Sequence, residues 1–159
     1  MKQITKKNKK IEKKVASKKQ KKHFLFGTSK LEEDFAKEFL DKLGVKYTYQ
    51  FETNIGRWFD FYLPEHNLLI EIDGSYFHSD PRVVSEEQMT PMHKRNKRVD
   101  ALKDKWALLH GIPMIRIWEK DIRENPKMVM EELKKKLHVI DDEKRLLDEK
   151  KKRHKNIIK

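Results

Sequence analysis

The sequence contains no cysteine among its 159 residues. This absence excludes disulfide bonds, thiolate zinc sites and cysteine nucleophiles, and it is compatible with a reducing cytosol. No apolar run approaches the roughly 20 residues that a membrane span needs, and the first 22 residues lack the apolar stretch of a secretory signal. We therefore expect an intracellular protein, and the length favours a single domain with one core.

Charge is abundant but unevenly distributed along the chain. Residues 1–22 contain eleven lysines and one glutamate, a net charge of +10, and residues 143–159 carry a net charge of +5. The remaining residues 23–142 have 19 basic and 22 acidic side chains, a net charge of −3. A slightly acidic body with two basic arms suits a polyanion that the arms hold. The Lys-rich start lacks the apolar face that would insert into a membrane.

Composition and periodicity divide the chain into three parts. We expect a disordered arm over residues 1–22, a folded domain over 23–139 and a basic helical tail over 140–159. The arm is either a solubilising tail or a flexible phosphate-binding segment. A capping box that begins at Ser29 predicts the first helix, and Gly44 ends it.

The hydrophobic pattern predicts a mixed α/β domain with the element order α-β-β-β-α-β-α. After the first helix, strands are predicted at 45–51, 57–63, 68–73 and 113–118, and helices at 94–110 and 126–138. Residues 79–93 are interpreted as a loop, and residues 119–125 as a turn or short helix. The second helix is expected to bury the stripe formed by Val99, Leu102, Trp106 and Leu109.

Three acidic residues stand in strands that are otherwise apolar. Asp60 lies in an aromatic strand, while Glu71 and Asp73 alternate with two isoleucines in the next strand, so both carboxylates share one face. Their burial is costly without a counter-charge, and a divalent cation would relieve their repulsion because hard cations bind carboxylate and carbonyl oxygens. The alternative is that this face is solvated, with apolar residues inward and polar residues outward.

Two more residues are candidates for the same site. Glu32 lies near the centre of the apolar stripe of the first helix, where it would meet a partner in the interior, or else it completes the capping box with Ser29. His78 follows Asp73 by five residues. A neutral imidazole, with an ordinary pKa near ~6.5, can accept a proton from water near neutral pH.

These residues, in this order, resemble the PD-(D/E)XK nuclease superfamily. They are most similar to the branch that contains the very-short-patch-repair endonucleases and the EDxHD homing endonucleases often carried by phages. The resemblance spans residues 29–122 and leaves both basic arms outside it. It is carried by Glu32, Asp60, Glu71-Ile72-Asp73-Gly74, Tyr76-Phe77-His78, Asn96-Lys97-Arg98-Val99-Asp100 and Arg116-Ile117-Trp118-Glu119. The fold it implies is a restriction-endonuclease-like core, a mixed sheet flanked by helices.

The resemblance also implies an activity, the magnesium-dependent hydrolysis of DNA phosphodiester bonds, with Mn²⁺ as a substitute ion. His78 would activate water, Asp100 would orient His78, and Glu32 would complete the site. The implied metal ligands are Asp60, Glu71, Asp73 and the carbonyl of Ile72. The implied DNA contacts are Tyr76, Phe77, Lys94, Arg95, Lys97 and Arg98, the two aromatics as wedges between base pairs unless they pack in the core.

The sequence departs from the family pattern at several positions. Asp73 stands where the superfamily usually has a lysine, and Lys94, Lys97 or Arg98 could supply the missing positive charge. The structural zinc of the repair enzymes is not expected because cysteine is absent, and Ile72 replaces their catalytic threonine, which argues against mismatch repair. Helical-wheel geometry also directs Asp100 away from the predicted buried stripe of its helix.

The leading interpretation is a homing-type DNA endonuclease, associated with a phage or mobile element and located in the cytoplasm of a bacterium or of an infected host cell. Such a small catalytic domain could act as a homodimer or nick one strand. Alternatives are a structure-specific nuclease that cuts junctions or flaps, a non-catalytic nucleic-acid-binding protein on a nuclease fold, and a basic RNA-associated protein. All of these have nucleic acid as the partner and none involves a membrane.

Overall fold

The computed structural model describes residues 29–157, so the predicted arm over 1–22 and the predicted domain start at residue 23 lie outside the described residues. Within them the chain is an α/β fold with a four-stranded mixed sheet and flanking helices. The strands are β1 (Thr48–Glu52), β2 (Trp58–Leu63), β3 (Leu68–Asp73) and β4 (Met114–Trp118). Helix α1 consists of three continuous segments, Lys30–Phe35, the π-helical Ala36–Leu40 and Asp41–Leu43. The other helices are α2 (Pro91–His110), α3 (Glu119–Glu124) and α4 (Pro126–Ile157), and a 3₁₀ turn lies at Glu86–Gln88.

The strands are ordered β1-β2-β3-β4 across the sheet. The first three form an antiparallel meander, and β4 pairs in parallel with β3 after the chain crosses over through α2. The parallel register sets Arg116 opposite Glu71 and Trp118 opposite Asp73. The fold therefore brings a cation on β4 to the acidic strand β3.

The sheet buries apolar side chains on both faces. One face packs against α1 and α4 through a cluster that includes Phe35, Phe61, Ile70 and Leu133. The other face packs against α2 through Phe51, Phe59, Tyr62, Leu69, Trp106, Ala107 and Ile112. Since Leu69 belongs to the α2 cluster and residues of one strand alternate between faces, Glu71 and Asp73 also lie on the α2 side.

The alternation of β2 is broken at Asp60. Phe59 packs with the α2 cluster and Phe61 with the α1 cluster, although residues two apart on a regular strand share a face. Asp60 and Gln50 are the two residues at which the β1–β2 pairing is interrupted, between the Tyr49–Phe61 and Phe51–Phe59 pairs. Gln50 has a φ of 50°, a left-handed conformation that is uncommon for a residue other than glycine. The sheet is therefore irregular at a candidate site residue.

Two helices differ from the prediction at their ends. Helix α2 begins at Pro91, three residues before the predicted Lys94, because Thr90 caps it and proline suits the first turn. Helix α4 continues without a break to Ile157 rather than ending near His138. No helix among residues 29–157 has the length and apolar character to cross a membrane.

Candidate active site

The acidic strand β3 is buried along its whole length. The side chains of Glu71 and Asp73 are each only 2% exposed, so the interpretation of a solvated face is wrong. Each carboxylate has a cation beside it: Lys103 Nζ lies 2.6 Å from Glu71 Oε2, and Arg116 Nη1 lies 2.9 and 3.0 Å from the two oxygens of Asp73. These pairs offset part of the cost of burying the acids.

Asp60 and Glu71 are joined across β2 and β3 through the backbone. Asp60 Oδ2 accepts a hydrogen bond from the Ile72 N–H at 2.7 Å, and Glu71 Oε1 accepts one from the Asp60 N–H at 3.2 Å. These two bonds fix one oxygen of each carboxylate. The irregularity at Asp60 thus places its side chain beside the acidic strand instead of among the aromatic residues of β2.

Glu32 faces the interior from α1. Its Oε2 accepts hydrogen bonds from the Tyr49 hydroxyl at 2.7 Å and from Gln50 Nε2 at 2.9 Å, while Ser29 still caps the helix by accepting from the Glu32 N–H. Gln50 is also the residue at which the β1–β2 pairing is interrupted. The left-handed backbone of Gln50 thus occurs at the residue whose side-chain amide binds Glu32.

Negative charge is in excess in this cluster. Burial and the charge of Glu32 together raise the pKa of Asp60 to about 6, against the opposing effects of the Ile72 N–H hydrogen bond and of Lys103. Burial and the neighbouring Asp60 likewise raise the pKa of Glu71 to about 7, and burial raises the pKa of Glu32 above its ordinary value. Lys103 and Arg116 thus leave this group of carboxylates undercompensated.

His78 and Asp100 form a pair next to the acidic strand. His78 Nδ1 lies 3.0 Å from Asp100 Oδ2 and 3.5 Å from Asp73 Oδ1. The hydrogen bond to Asp100 raises the pKa of His78, while burial opposes this. Burial also works against the ionised form of Asp100, but His78 and the nearby Arg116 and Lys103 outweigh it and hold the pKa of Asp100 below its usual range. With Nδ1 occupied, Nε2 is the nitrogen that can exchange a proton with a substrate or water.

The side of α2 that faces the site is polar, which overturns two expectations. It consists of Asn96, Asp100 and Lys103, spaced four and three residues apart, and the helix becomes apolar on this side only at Ala107. Asp100 therefore does reach His78, and the helical-wheel suggestion that it points elsewhere is wrong. The predicted burial of Leu102 and Leu109 is also wrong, since both are exposed.

The positive group beside the acids is one that the sequence did not identify. Lys94, Lys97 and Arg98, the three candidates for the missing lysine, are exposed, and so is Arg95. Lys103 instead reaches Glu71, and its charge also acts on Glu32 and Asp60. Lys103 follows Asp100 by three residues, about one helical turn, and this spacing is the sequence pattern that could have identified Lys103 as a site residue.

Tyr76 and Phe77 follow β3 directly and remain on the surface. Their side chains are 51% and 57% exposed, and the two rings meet edge to face with centroids 5.6 Å apart. The alternative that one or both pack in the core is therefore wrong. Asn96 of α2 donates a hydrogen bond to the Phe77 carbonyl, which ties this aromatic pair to the helix that carries Asp100 and Lys103.

The carboxylates of the cluster are the candidate metal ligands. Among residues 29–157, no group of three or more His, Asp or Glu side chains is positioned as a ready metal site, since the acids of β3 are bound to Lys103 and Arg116. The carboxylates of Asp60 and Glu71 nevertheless fit a hard cation, because they supply oxygen donors and their raised pKa values reflect surplus negative charge around them. A cation would therefore bind in competition with Lys103 for Glu71.

We expect the protein to lose stability as pH rises from 5 to 8 when no divalent cation is present. Asp60 and Glu71 have folded-state pKa values of about 6 and about 7, above those of ordinary carboxyls, so the folded state holds protons that the unfolded state has released. Their ionisation costs up to about 3 kcal/mol each. The raised pKa of His78 acts in the same direction, because its favourable contribution is lost above that pKa.

Urea denaturation at pH 5 and pH 8 in EDTA measures this difference. Asp60→Asn removes one of the ionising groups, so its stability should change less with pH. Asp34→Asn, at an exposed position of α1, is the matched control and should follow the wild type. A wild-type protein more stable at pH 8 than at pH 5 would contradict the expectation.

Comparison with known proteins finds no matching family model, no matching curated protein and no matching solved structure. What the site does has to be inferred from its residues and their geometry.

Proposed function

We propose that the chain is a magnesium-dependent endonuclease that hydrolyses phosphodiester bonds of DNA on a restriction-endonuclease-like fold. The observation that carries the proposal is the meeting of a buried carboxylate cluster with a His–Asp pair at the end of β3. Asp60, Glu71 and Asp73 supply oxygen ligands with surplus negative charge, and His78 with Asp100 supplies a proton acceptor 3.5 Å from Asp73. These are the two components that hydrolysis of a phosphodiester needs.

The metal would be held by Asp60 and Glu71, together with Asp73 or the carbonyl of Ile72. When bound, Mg²⁺, or Mn²⁺ in its place, orients the attacking water and offsets the charge that develops on the phosphate.

His78 would take the proton from the attacking water at Nε2. Asp100 accepts from Nδ1–H and so holds the imidazole in the tautomer whose Nε2 is free to accept. Asp100 also stabilises the imidazolium once the proton has moved.

Lys103 is the positive group that we assign to the place of the usual motif lysine. Asp73 stands at that motif position and, as an acid, cannot supply a positive charge; it is paired with Arg116 instead. Lys103 reaches the cluster from α2, is 2.6 Å from Glu71, and rests its ammonium 5.5 Å above the Phe59 ring. From there it can offset negative charge on the phosphate when a metal takes over Glu71.

The basic residues outside the site suit the DNA backbone. Helix α4 is 32 residues long, its buried residues lie at Val129, Leu133 and Leu137, and its later turns are exposed. These later turns carry Lys144, Arg145, Lys150, Lys151, Lys152 and Arg153. Lysines and arginines on a projecting helix bind phosphates with little sequence preference and strong salt dependence. Homing-type activity of a phage or mobile element is part of this proposal, with the protein acting either as a homodimer or by nicking one strand.

Incubation of the full chain with supercoiled plasmid tests the proposal. We expect nicked or linear DNA with Mg²⁺, none with EDTA, and none with Asp60→Asn even in Mg²⁺. Asp34→Asn, the exposed control, should cut like the wild type. Cleavage that persists in EDTA or in Asp60→Asn would contradict the assigned site, and the ratio of nicked to linear product reports whether one strand or two are cut.

A non-catalytic DNA-binding protein is the second candidate, because Glu71 and Asp73 are already paired with cations. It predicts salt-sensitive DNA binding that Mg²⁺ and Asp60→Asn leave unchanged, with no cleavage of plasmid or of bacterial genomic DNA.

A further inference from the structure

A cleft of about 480 Å³ opens beside His78, and none of Asp60, Glu71 and Asp73 lines it. It lies between the segment that follows β3, the 3₁₀ turn, the first turns of α2 and the end of β4. Its volume falls in the range of about 300–1,000 Å³ that is typical of small-ligand pockets. The proposed hydrolysis uses only His78 among its lining residues, so the rest of the cleft has no role in that reaction.

Ser79 in the wall of this cleft is unusual in two respects. Its side chain is 4% exposed, and its Oγ has no hydrogen-bond partner among the described residues. Its φ is 58°, in the left-handed region that serine seldom occupies. Buried polar atoms are normally satisfied, and strained backbone clusters at ligand sites. Because the Oγ is itself closed off from the cleft, it is the left-handed backbone of Ser79 that marks this wall as a candidate ligand site.

The lining of the cleft indicates the chemistry of that ligand. Trp118, Val84 and Met89 give apolar and aromatic walls, and the exposed edge carries the cation Lys97 together with one acid, Glu86. Nucleobases stack on aromatic and apolar side chains, while their phosphates pair with lysine. The walls and the lysine therefore fit a ligand that has a flat apolar group with a polar edge and, near it, a phosphate. A nucleotide has both parts, the base and the phosphate.

We propose that the cleft receives one unpaired nucleotide of the DNA substrate, with the base against Trp118 and Met89 and the phosphate towards Lys97 and His78. This assignment rests on the proposed function and deepens it. A nucleotide drawn out of the helix beside His78 would place its neighbouring phosphodiester at the carboxylate cluster. The preferred substrate is therefore DNA with an unpaired base close to the cut, such as a bulge or a flap junction.

Binding of the full-length wild-type chain in EDTA tests this without cleavage. Fluorescence anisotropy is measured on three duplexes of one sequence: fully matched, with a single bulged adenine, and with the same bulge as an abasic site. The abasic bulge keeps the extra sugar and phosphate but has no base. We expect the adenine bulge to bind about tenfold more tightly than the abasic bulge, as loss of one stacked base implies. Equal affinities for the two bulges would overturn the proposal.

A variant that fills the cleft tests whether the preference for the adenine bulge arises there. Met89→Trp should remove the preference for the adenine bulge, whereas Met128→Trp, at an exposed position of α4 outside the cleft, should keep it. Retention of the preference in Met89→Trp would contradict the assignment. The comparison of the two bulges by the wild type stands even if Met89→Trp does not fold.

The outcomes separate this proposal from the nuclease itself. Plasmid cleavage without any preference between the two bulges refutes the nucleotide cleft and leaves the nuclease intact. A preference for the bulged base without Mg²⁺-dependent cleavage of plasmid or bulged DNA supports the cleft and refutes the catalytic assignment.

Discussion

Replacement of Lys103 by methionine should lower the free energy of unfolding by about 3 kcal/mol at pH 8. Lys103 Nζ lies 2.6 Å from Glu71 Oε2 in a site where the carboxylate is almost fully buried. Without the ammonium, the remaining ion-pair contact of that carboxylate among the described residues is Arg116, at 3.9 Å. The loss should shrink at pH 5, because Glu71, with its pKa already raised to about 7 by burial, can then take a proton.

Urea denaturation at the two pH values measures this, and two variants control it. Lys105→Met changes an exposed lysine on the same helix and should alter stability by no more than about 0.5 kcal/mol. Glu71→Gln combined with Lys103→Met removes the stranded charge and should recover most of the loss. An equal loss at both pH values would assign the effect to packing of the Lys103 stem against Phe59 instead of to charge.

Replacement of His78 by alanine should slow DNA cleavage by about 10²–10⁴-fold, the usual contribution of a general base. The protein should remain folded, because His78 is partly exposed at the cleft. Single-turnover cleavage of plasmid in saturating Mg²⁺ measures the rate. His138→Ala, at an exposed histidine of α4, should leave it unchanged. A full rate in His78→Ala would exclude His78 as the proton acceptor.

The pH dependence of cleavage should identify Asp100 as the positioning residue for His78. A general base works only when it is neutral, so the rate should rise with pH through the pKa of His78, which the hydrogen bond to Asp100 sets above the ordinary value. Asp100→Asn removes that charge, so the midpoint should move to lower pH while the maximal rate falls. An unshifted midpoint would mean that a different group titrates.

The sequence predicts the central strands well. Strand β3 occurs at the predicted residues 68–73, and β2 begins one residue later than predicted, because alternating apolar side chains between two turns leave little freedom of register. The common face of Glu71 and Asp73 follows from the same alternation. The break of alternation at Asp60 could not be predicted, since it depends on the left-handed conformation of Gln50 on the neighbouring strand.

Helix α2 shows where prediction from one sequence fails. An apolar stripe is a guide to the buried side only if the helix packs on an apolar surface, and α2 packs partly over a charged site. Its inward side therefore carries Asp100 and Lys103, while Leu109 faces solvent. The segment from Lys94 to Lys105, ends included, has six basic residues. Only the rotation of the folded helix determines that Lys103 is the one that faces the site. The nuclease-like identity of the fold and the metal site stay predictions.

The parallel pairing of β3 with β4 has a consequence for the order of folding. The meander from β1 to β3 closes through short turns, whereas β4 joins β3 only after the chain has crossed over through some 40 residues, and long loops close slowly. The meander supplies the acids, and the crossover and β4 supply Lys103 and Arg116. Glu71 and Asp73 therefore cannot be buried at low cost until the crossover has closed. The ion pairs Glu71–Lys103 and Asp73–Arg116 therefore couple completion of the sheet to assembly of the site. In a chain in which only the meander has folded, the acids stay in water.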